Sequence, residues 1–420
     1  MKKKVLLITG SGASISVGFP SVMDIDEFYL NHSEQFYKLD EESRSPCHLI
    51  KKKLERHQIL RKEINTLSAN PEVGFPGHKY KGFPYEPNFE AIHYVLNMLI
   101  SILTKDSIMP SNKTAERDYL PLYQILKLDD GLASLSAQRL WFLEKTLNNE
   151  IFKLMLSRCE STVSNPTFGK HSDFYNNLNK RSMLSVATLN YDNVVIKALP
   201  QFDTGFDKRN GQFKPQRLMC DSWNTYLPLH GCVHFAVPTD KSYSELHWKR
   251  KPSVEDISID YKQMRSDEGF LISKQPLVIG YNKPDVILSN PYRCYFSLLE
   301  RLIYEADILL ICGYGFSDLH LNRYLSALRY YRTTMAKRIV LINRIVQEQP
   351  DWTFNSDDKW TRYVRSVFQI KAEDRPWLIK PSAMGFMKTK RDKHEFWFYT
   401  NGIDPFIESE ELIGSILQTK

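Results

Sequence analysis

Five short clusters of glycine or polar residues follow apolar runs in this 420-residue chain, and they hold most of the side chains able to do chemistry. Gly10-Ser11-Gly12-Ala13-Ser14 follows the run 5–9. Its glycines permit positive φ and close backbone approach, so the loop amides and the start of a following helix can receive a pyrophosphate. Against a dinucleotide fingerprint, Ile15 stands where the third glycine belongs, and no acidic residue ends a strand about 20 positions on. A tight connection is the plainer alternative. Asn190-Tyr191-Asp192 ends the apolar run 184–189, where ligand groups gather in an open parallel sheet, although Asn-x-Asp also caps helices. His230-Gly231 places an imidazole in a sharp turn facing a cleft, or else a histidine satisfied within the core. A second glycine turn, Gly313-Tyr314-Gly315-Phe316-Ser317-Asp318, follows the run 307–312, and Asn343 ends the run 338–342.

These clusters need a sheet to bring them together. Residues 5–9, 184–189, 276–280, 307–312 and 338–343 read as short buried strands of the sheet. Between the first two lies a long helical region, from about 31 to 181. Lys51–Leu67 is charged and amphipathic, and Phe89, Ile92, Val95, Leu96, Leu99 and Ile100 recur at helical spacing. Further helices are expected at 135–156, 172–179, 291–304 and 319–330. The prolines at 71, 76, 84 and 87 make 70–88 a loop or lid, and 234–274 is polar and turn-rich. The aromatic-rich tail beyond 344 reads as core or protein interface, with the segment from His394 to Phe406 a strand and turn docking on the sheet.

Composition narrows the class. Apolar residues make up 42% and charged residues 25%, ordinary for a globular chain, and 420 residues suit two or three substructures. A net charge of +7, from 56 basic and 49 acidic residues, is too scattered to indicate direct nucleic-acid binding. Cysteines 47, 159, 220, 232, 294 and 312 form no CxxC pair, so neither zinc nor a disulfide framework is expected. The basic start leads into a five-residue apolar run, a strand and not a signal peptide. No run is long enough for a bilayer, and a cytoplasmic protein is expected.

In this order the clusters resemble the sirtuin family, whose sequences carry a Gly-x-Gly-Ala-Ser loop, Thr-x-Asn-x-Asp, a Leu-His-Gly catalytic turn, Gly-x-Ser and a terminal Ile-Asn. Here they stand at 10–14, 188–192, 229–231, 313–317 and 342–343. The resemblance implies an α/β fold, a Rossmann-like parallel sheet with a large helical insertion and a small C-terminal extension. Residues 1–30 and 181–345 would form the NAD-binding catalytic domain, 31–180 the insertion and 346–420 the extension. It implies that Gly10, Ser11, Gly12, Ala13 and Ser14, with Gly313, Tyr314, Ser317 and Asp318, hold the phosphates and ribose of NAD, and that Asn343 meets the adenosine side. Asp192 would bind the nicotinamide amide, Asn190 would position ribose and water, and His230 would be the general base. Cleaving the nicotinamide–ribose bond passes through an oxocarbenium-like state, which calls for oriented polar groups and a base.

Departures from the deacylating sirtuins shape the expected activity. The paired CxxC zinc ribbon is absent, Gly18-Phe19-Pro20-Ser21-Val22-Met23 lacks the family's arginine, and Ile279-Gly280-Tyr281 replaces a Phe-Gly-Glu strand. With water taking the ribosyl cation, the expected reaction is NAD hydrolysis to ADP-ribose and nicotinamide. Deacylation or ADP-ribosyl transfer, and a silent NAD or ADP-ribose sensing module, are the alternatives. The pattern is similar to bacterial defence-associated sirtuin-like proteins, which implies an antiphage effector, homo-oligomeric, paired with a HerA-type hexameric ATPase and restrained until activated. The 70–88 loop is the expected gate.

Overall fold

The computed structural model describes residues 2–36, 45–68, 87–103, 137–221, 223–236, 246–254, 276–280, 287–329, 336–344, 359–370, 386–391 and 393–418. The expected gate at 70–88, apart from 87 and 88, lies outside them, as do Tyr281 and most of 234–274. In chain order the elements are β1 Lys4–Thr9, α1 Val22–Phe36, α2 Pro46–Ser68, α3 Phe89–Leu103, α4 Ala137–Ser161, α5 Pro166–Arg181, β2 Met183–Thr188, α6 Val194–Ala198, β3 Tyr226–Pro228, β4 Phe235–Ala236 and β5 His247–Trp248. They continue with α7 Tyr292–Glu305, β6 Ile308–Cys312, α8 Leu319–Ser326, β7 Arg338–Ile342, α9 Lys359–Phe368, β8 Met387–Arg391, β9 His394–Tyr399, α10 Ile403–Ile407 and α11 Glu410–Leu417. No described helix is long and apolar enough to cross a membrane.

Seven strands form one sheet in the order β3-β2-β1-β6-β7-β9-β8, parallel except for the β8–β9 hairpin. Its central strands are buried on both sides, which is why they read as unbroken apolar runs rather than alternating ones. Successive side chains still divide between two cores. Val5 and Leu7 face a core shared with the helical layer, while Leu6 and Ile8 face one built with α7, α8 and α9. The helical layer is an amphipathic packing problem solved locally: Ile92, Val95, Leu96 and Leu99 of α3 meet Leu140, Leu143, Leu147 and Ile151 of α4. Each fully buried aliphatic chain contributes about 1.5–3 kcal/mol. At the start of α5, the Asn165 side chain accepts from the Thr167 amide at 2.9 Å and Pro166 occupies the first turn, a position where its missing N–H costs nothing.

Register decides where the loops emerge. Thr9 of β1 pairs with Thr188 of β2 and with Cys312 of β6, and Thr188 pairs with Pro228 of β3. The residues after these four strand ends therefore leave the sheet level with one another. The chain passes from β1 to β2 and β3 on one side, then crosses to β6 on the other, so the crevice over β1 is a topological switch point.

Two expectations need correction. The glycine loop runs into two 3-10 turns, Ser11–Ala13 and Ile15–Val17, and the first α-helix begins only at Val22, so no helix start faces the loop at Ser14. Residues 276–280 are not a strand. Leu277 makes an isolated bridge to Gly231, and the Val278 amide donates to the His230 carbonyl at 2.8 Å, so this run braces the histidine turn. The sheet continues past β7 into the segment expected to dock on it. β9 pairs with β7 in parallel, burying Phe396 and Phe398 in one core and Trp397 and Tyr399 in the other, and β8 forms the edge with Lys388, Lys390 and Arg391, charges that discourage further pairing.

Candidate active site

The two glycine loops read as two phosphate cradles; the structure closes them on each other. Gly10 donates its amide to Cys312 O at 3.0 Å and Gly12 to Gly313 O at 3.0 Å, while Ala13 and Ser14 donate back to Gly10 and Ser11 within the loop. Those four amides are therefore engaged inside the protein. Gly313 has φ +62, and a Cβ there would lie 2.2 Å from the Ala13 nitrogen, so only glycine permits the contact. This locking fixes the floor of a cavity of about 160 Å³ at the carboxyl ends of β1, β2, β3 and β6.

On that floor three polar side chains form a chain of hydrogen bonds. The Asn190 side-chain amide donates to Gly10 O at 2.9 Å and to Ser14 Oγ at 3.0 Å, and Ser14 Oγ donates to Asp192 Oδ2 at 2.6 Å. Asp192 Oδ1 accepts the Val194 amide at the start of α6. Burial pushes the Asp192 carboxyl above its ordinary range, against the pull of the Ser14, Val194 and Asn190 hydrogen bonds. Thr188 anchors the turn, its hydroxyl taking both the Asn190 amide at 3.0 Å and the Thr9 hydroxyl at 2.8 Å. Asp192 thus steadies the chain entering α6, and Asn190 and Asp192 both line the cavity.

His230 enters from β3. Leu229 donates to Thr188 O at 2.9 Å, extending the parallel pairing, and Gly231 then turns at φ +81, where a Cβ would lie 1.9 Å from Pro276 O. The imidazole Nε2 lies 3.0 Å from Asp318 Oδ2, both side chains almost wholly buried. Asp318 also caps α8, its Oδ1 accepting the Leu321 amide at 2.8 Å. The rest of that loop is fixed by Tyr314, whose hydroxyl lies 2.8 Å from Asn322 Oδ1, and by Asn322, which donates to Phe316 O at 2.8 Å. Phe316 holds φ +56, a left-handed backbone that this bond and the rings of Tyr314, Trp360 and Phe368 keep in place.

Of the residues singled out from the sequence, Gly10, Ser11, Ser14, Asn190, Asp192, His230, Tyr314, Ser317 and Asp318 line this one cavity. Gly12, Ala13, Gly313 and Asn343 do not. The two glycines and Ala13 serve the loop contact beneath it. Asn343 leaves β7, two strand spacings or about 10 Å from β1, with its backbone tied to Tyr399 and Gly402.

The sequence reading missed the wall supplied by the helical insertion. Phe89 and Glu90 of α3 and Met155 of α4 face Tyr191 and His230 across the cavity. No local signal marks Glu90; it opens an amphipathic helix, as acidic residues commonly do. The lining carries the carboxylates of Glu90, Asp192 and Asp318 and no lysine or arginine. Such a cavity suits a positively charged or electron-poor group, and its volume, below the about 300–1,000 Å³ of typical small-molecule sites, suits one end of a dinucleotide. Among the described residues, no group of three or more His, Cys, Asp or Glu residues could hold a metal ion.

No curated protein sequence matches the chain. Among solved structures, a serine-to-alanine mutant of a Sir2 homologue in complex with ADP-ribose is 14% identical, with 88% of this chain and 95% of that chain covered and a TM-score of 0.32. A histidine-to-asparagine mutant with ADP-ribose gives the same values, and a triple mutant with 2'-O-acetyl ADP-ribose is 13% identical over the same shares, again with a TM-score of 0.32. Residues 184–358, the stretch that supplies Asn190, Asp192, His230 and the 313–318 loop, match the SIR2-like domain family.

Proposed function

We propose that this chain is an NAD+ glycohydrolase that cleaves NAD+ and water to ADP-ribose, nicotinamide and a proton. The observation that carries the reading is the convergence of Asn190, Asp192 and His230 on one carboxylate-lined cavity without a cation, within a stretch matching the SIR2-like domain. The nicotinamide ring of the substrate carries the positive charge, and as the C1'–N bond breaks its electron pair moves to the ring nitrogen while positive charge passes to the ribosyl carbon. Preorganised carboxylates stabilise both charges. His230, held with its Nε2 3.0 Å from Asp318 Oδ2 and lining the cavity, would be the base that takes a proton from a ribose hydroxyl or the attacking water. Asn190, held by Gly10 and Ser14, is placed to orient ribose and water.

The test is incubation of the purified chain with NAD+ and separation of the products. ADP-ribose with nicotinamide supports hydrolysis; transfer of an acyl group or of ADP-ribose to a protein indicates the transferase reading; binding without turnover indicates a sensing module. The resemblance further supports a role as an antiphage effector that depletes NAD+ as a homo-oligomer, activated by assembly or by a HerA-type hexameric ATPase. Co-purification with the neighbouring gene product, and NAD+ loss with and without it, tests that role.

A further inference from the structure

At the opposite edge of the sheet, where β1, β6 and β7 begin, lies a second cavity of about 240 Å³. Lys3, Lys337, Arg338, Lys390 and Lys393 line it, against the carboxylates of Asp307 and Glu395. Both carboxylates have partners: Asp307 Oδ2 accepts the Lys4 amide at 2.8 Å, and Glu395 Oε2 lies 3.5 Å from Arg338 Nε. Arg338 is further fixed by donating to the carbonyls of Ser415 and Gln418 and by lying over the Trp397 ring, 4.4 Å from its centroid.

Lys337 is the unusual group. It is only 3% exposed, yet its ammonium donates to two neutral carbonyls, Tyr304 O and Ala306 O, each at 2.6 Å, and makes no ion pair among the described residues. Buried charges are ordinarily paired. Burial pushes this amine down to about 8, with Lys393 adding to the fall and the Asp307 and Glu305 carboxylates opposing it. Cations converge here on one concavity instead of running along an open face, as a nucleic-acid backbone would require.

We propose that this amino-edge cavity binds a phosphate group, the anion meeting the excess of cations over carboxylates in its lining. The ligand is a free phosphate or pyrophosphate, or the phosphate end of a nucleotide. The site is separate from the carboxyl-edge cavity and does not rest on the reaction proposed there; a strand of five or six residues, roughly 17–20 Å, separates the two.

Titration calorimetry of the full chain at low salt with orthophosphate, pyrophosphate and ADP tests this. Pyrophosphate binding in the wild type, weakened at least about 10-fold by the paired surface changes Lys390→Glu and Lys393→Glu and unchanged by Ser14→Ala at the far edge, is the expected result. Pyrophosphate as the tighter ligand identifies a free anion, and ADP as the tighter ligand, sensitive to the same pair, identifies a nucleotide. Absence of heat with all three ligands, or binding that survives the pair with the near-UV circular dichroism unchanged, overturns the proposal. ADP binding lost only with Ser14→Ala also counts against it.

Discussion

The two ends of the same strands carry opposite chemistry. At the carboxyl edge the lining is acidic, with Glu90, Asp192 and Asp318 around His230, and each buried group there has a partner delivered by a neighbouring strand end or helix start. At the amino edge Lys3, Arg338, Lys390 and Lys393 line a cavity together with the buried Lys337 ammonium, whose acceptors are neutral carbonyls. One site is assembled in advance from partnered groups; the other gathers more cations than carboxylates in its lining. Hydrogen bonds from Ser14 and Val194 hold the Asp192 carboxylate in a fixed direction, and electrostatic stabilisation of a developing charge requires just such fixity.

The contrast breaks most directly by removing the reacting groups at the carboxyl edge. Asn190→Ala and His230→Ala should each lower NAD+ turnover by roughly 100-fold or more, the range of a lost general base or oriented donor, with the circular dichroism spectrum unchanged. Turnover within a factor of about 3 of wild type in both would remove the site assignment. Asp318→Asn keeps an acceptor for the Leu321 amide but removes the charge opposite His230. It should cost roughly 10-fold in turnover, and turnover within a factor of about 3 of wild type would make Asp318 a cap alone.

Charge burial sharpens the comparison through stability, because the two edges have opposite pH signatures. Burial holds Asp192 above its ordinary 3.8, so its contribution to folding is complete below that value and is lost as pH rises through the raised one. Lys337, lowered to about 8 from 10.5, contributes stability above 10.5 that is lost as pH falls to 8. Asp192→Asn should therefore raise stability at pH 7.5 while turnover falls, since the amide is neutral yet still accepts from Val194. A fall in the urea midpoint would show that the Ser14 hydrogen bond outweighs burial. In wild type, stability should climb between pH 8 and 10.5, and Lys337→Gln should flatten that rise.

How far these features could be read in advance depended on whether they are local. Apart from 276–280, apolar runs ending in glycine, Asn-x-Asp or His-Gly placed strands and loops correctly because a buried parallel strand and its exit turn are written in consecutive residues. The α3 and α4 stripes were legible from their period for the same reason. The partner of a strand is not local: Phe396 to Tyr399 is apolar on both faces, so nothing in it tells a docked strand from one paired with β7. Glu90 joins the cavity only through the packing of α3 over the sheet. The run 276–280 became a brace because Pro276 O closes against Gly231, a contact between segments over 40 residues apart in sequence. The amides of the glycine loop were misread because their acceptors, Cys312 O and Gly313 O, come from the other loop.

The smallest expected effect divides two residues that the sequence presents as one turn. A Cβ on Gly315 meets nothing within 4 Å, and the residue is exposed at the cavity rim. Gly315→Ala should leave stability within about 0.5 kcal/mol, as for other surface changes, and leave turnover unaltered, whereas Gly315→Phe should raise the KM for NAD+ with stability still near wild type. Gly313→Ala, two positions away, forces a side chain onto the Ala13 nitrogen and must separate the two loops, so loss of folded protein is expected. If Gly315→Phe leaves KM unchanged, this rim is not on the substrate's path and the ligand approaches past Ser11 and Phe19 instead. If Gly313→Ala folds with wild-type stability, the loop contact beneath the cavity is looser than its hydrogen bonds require.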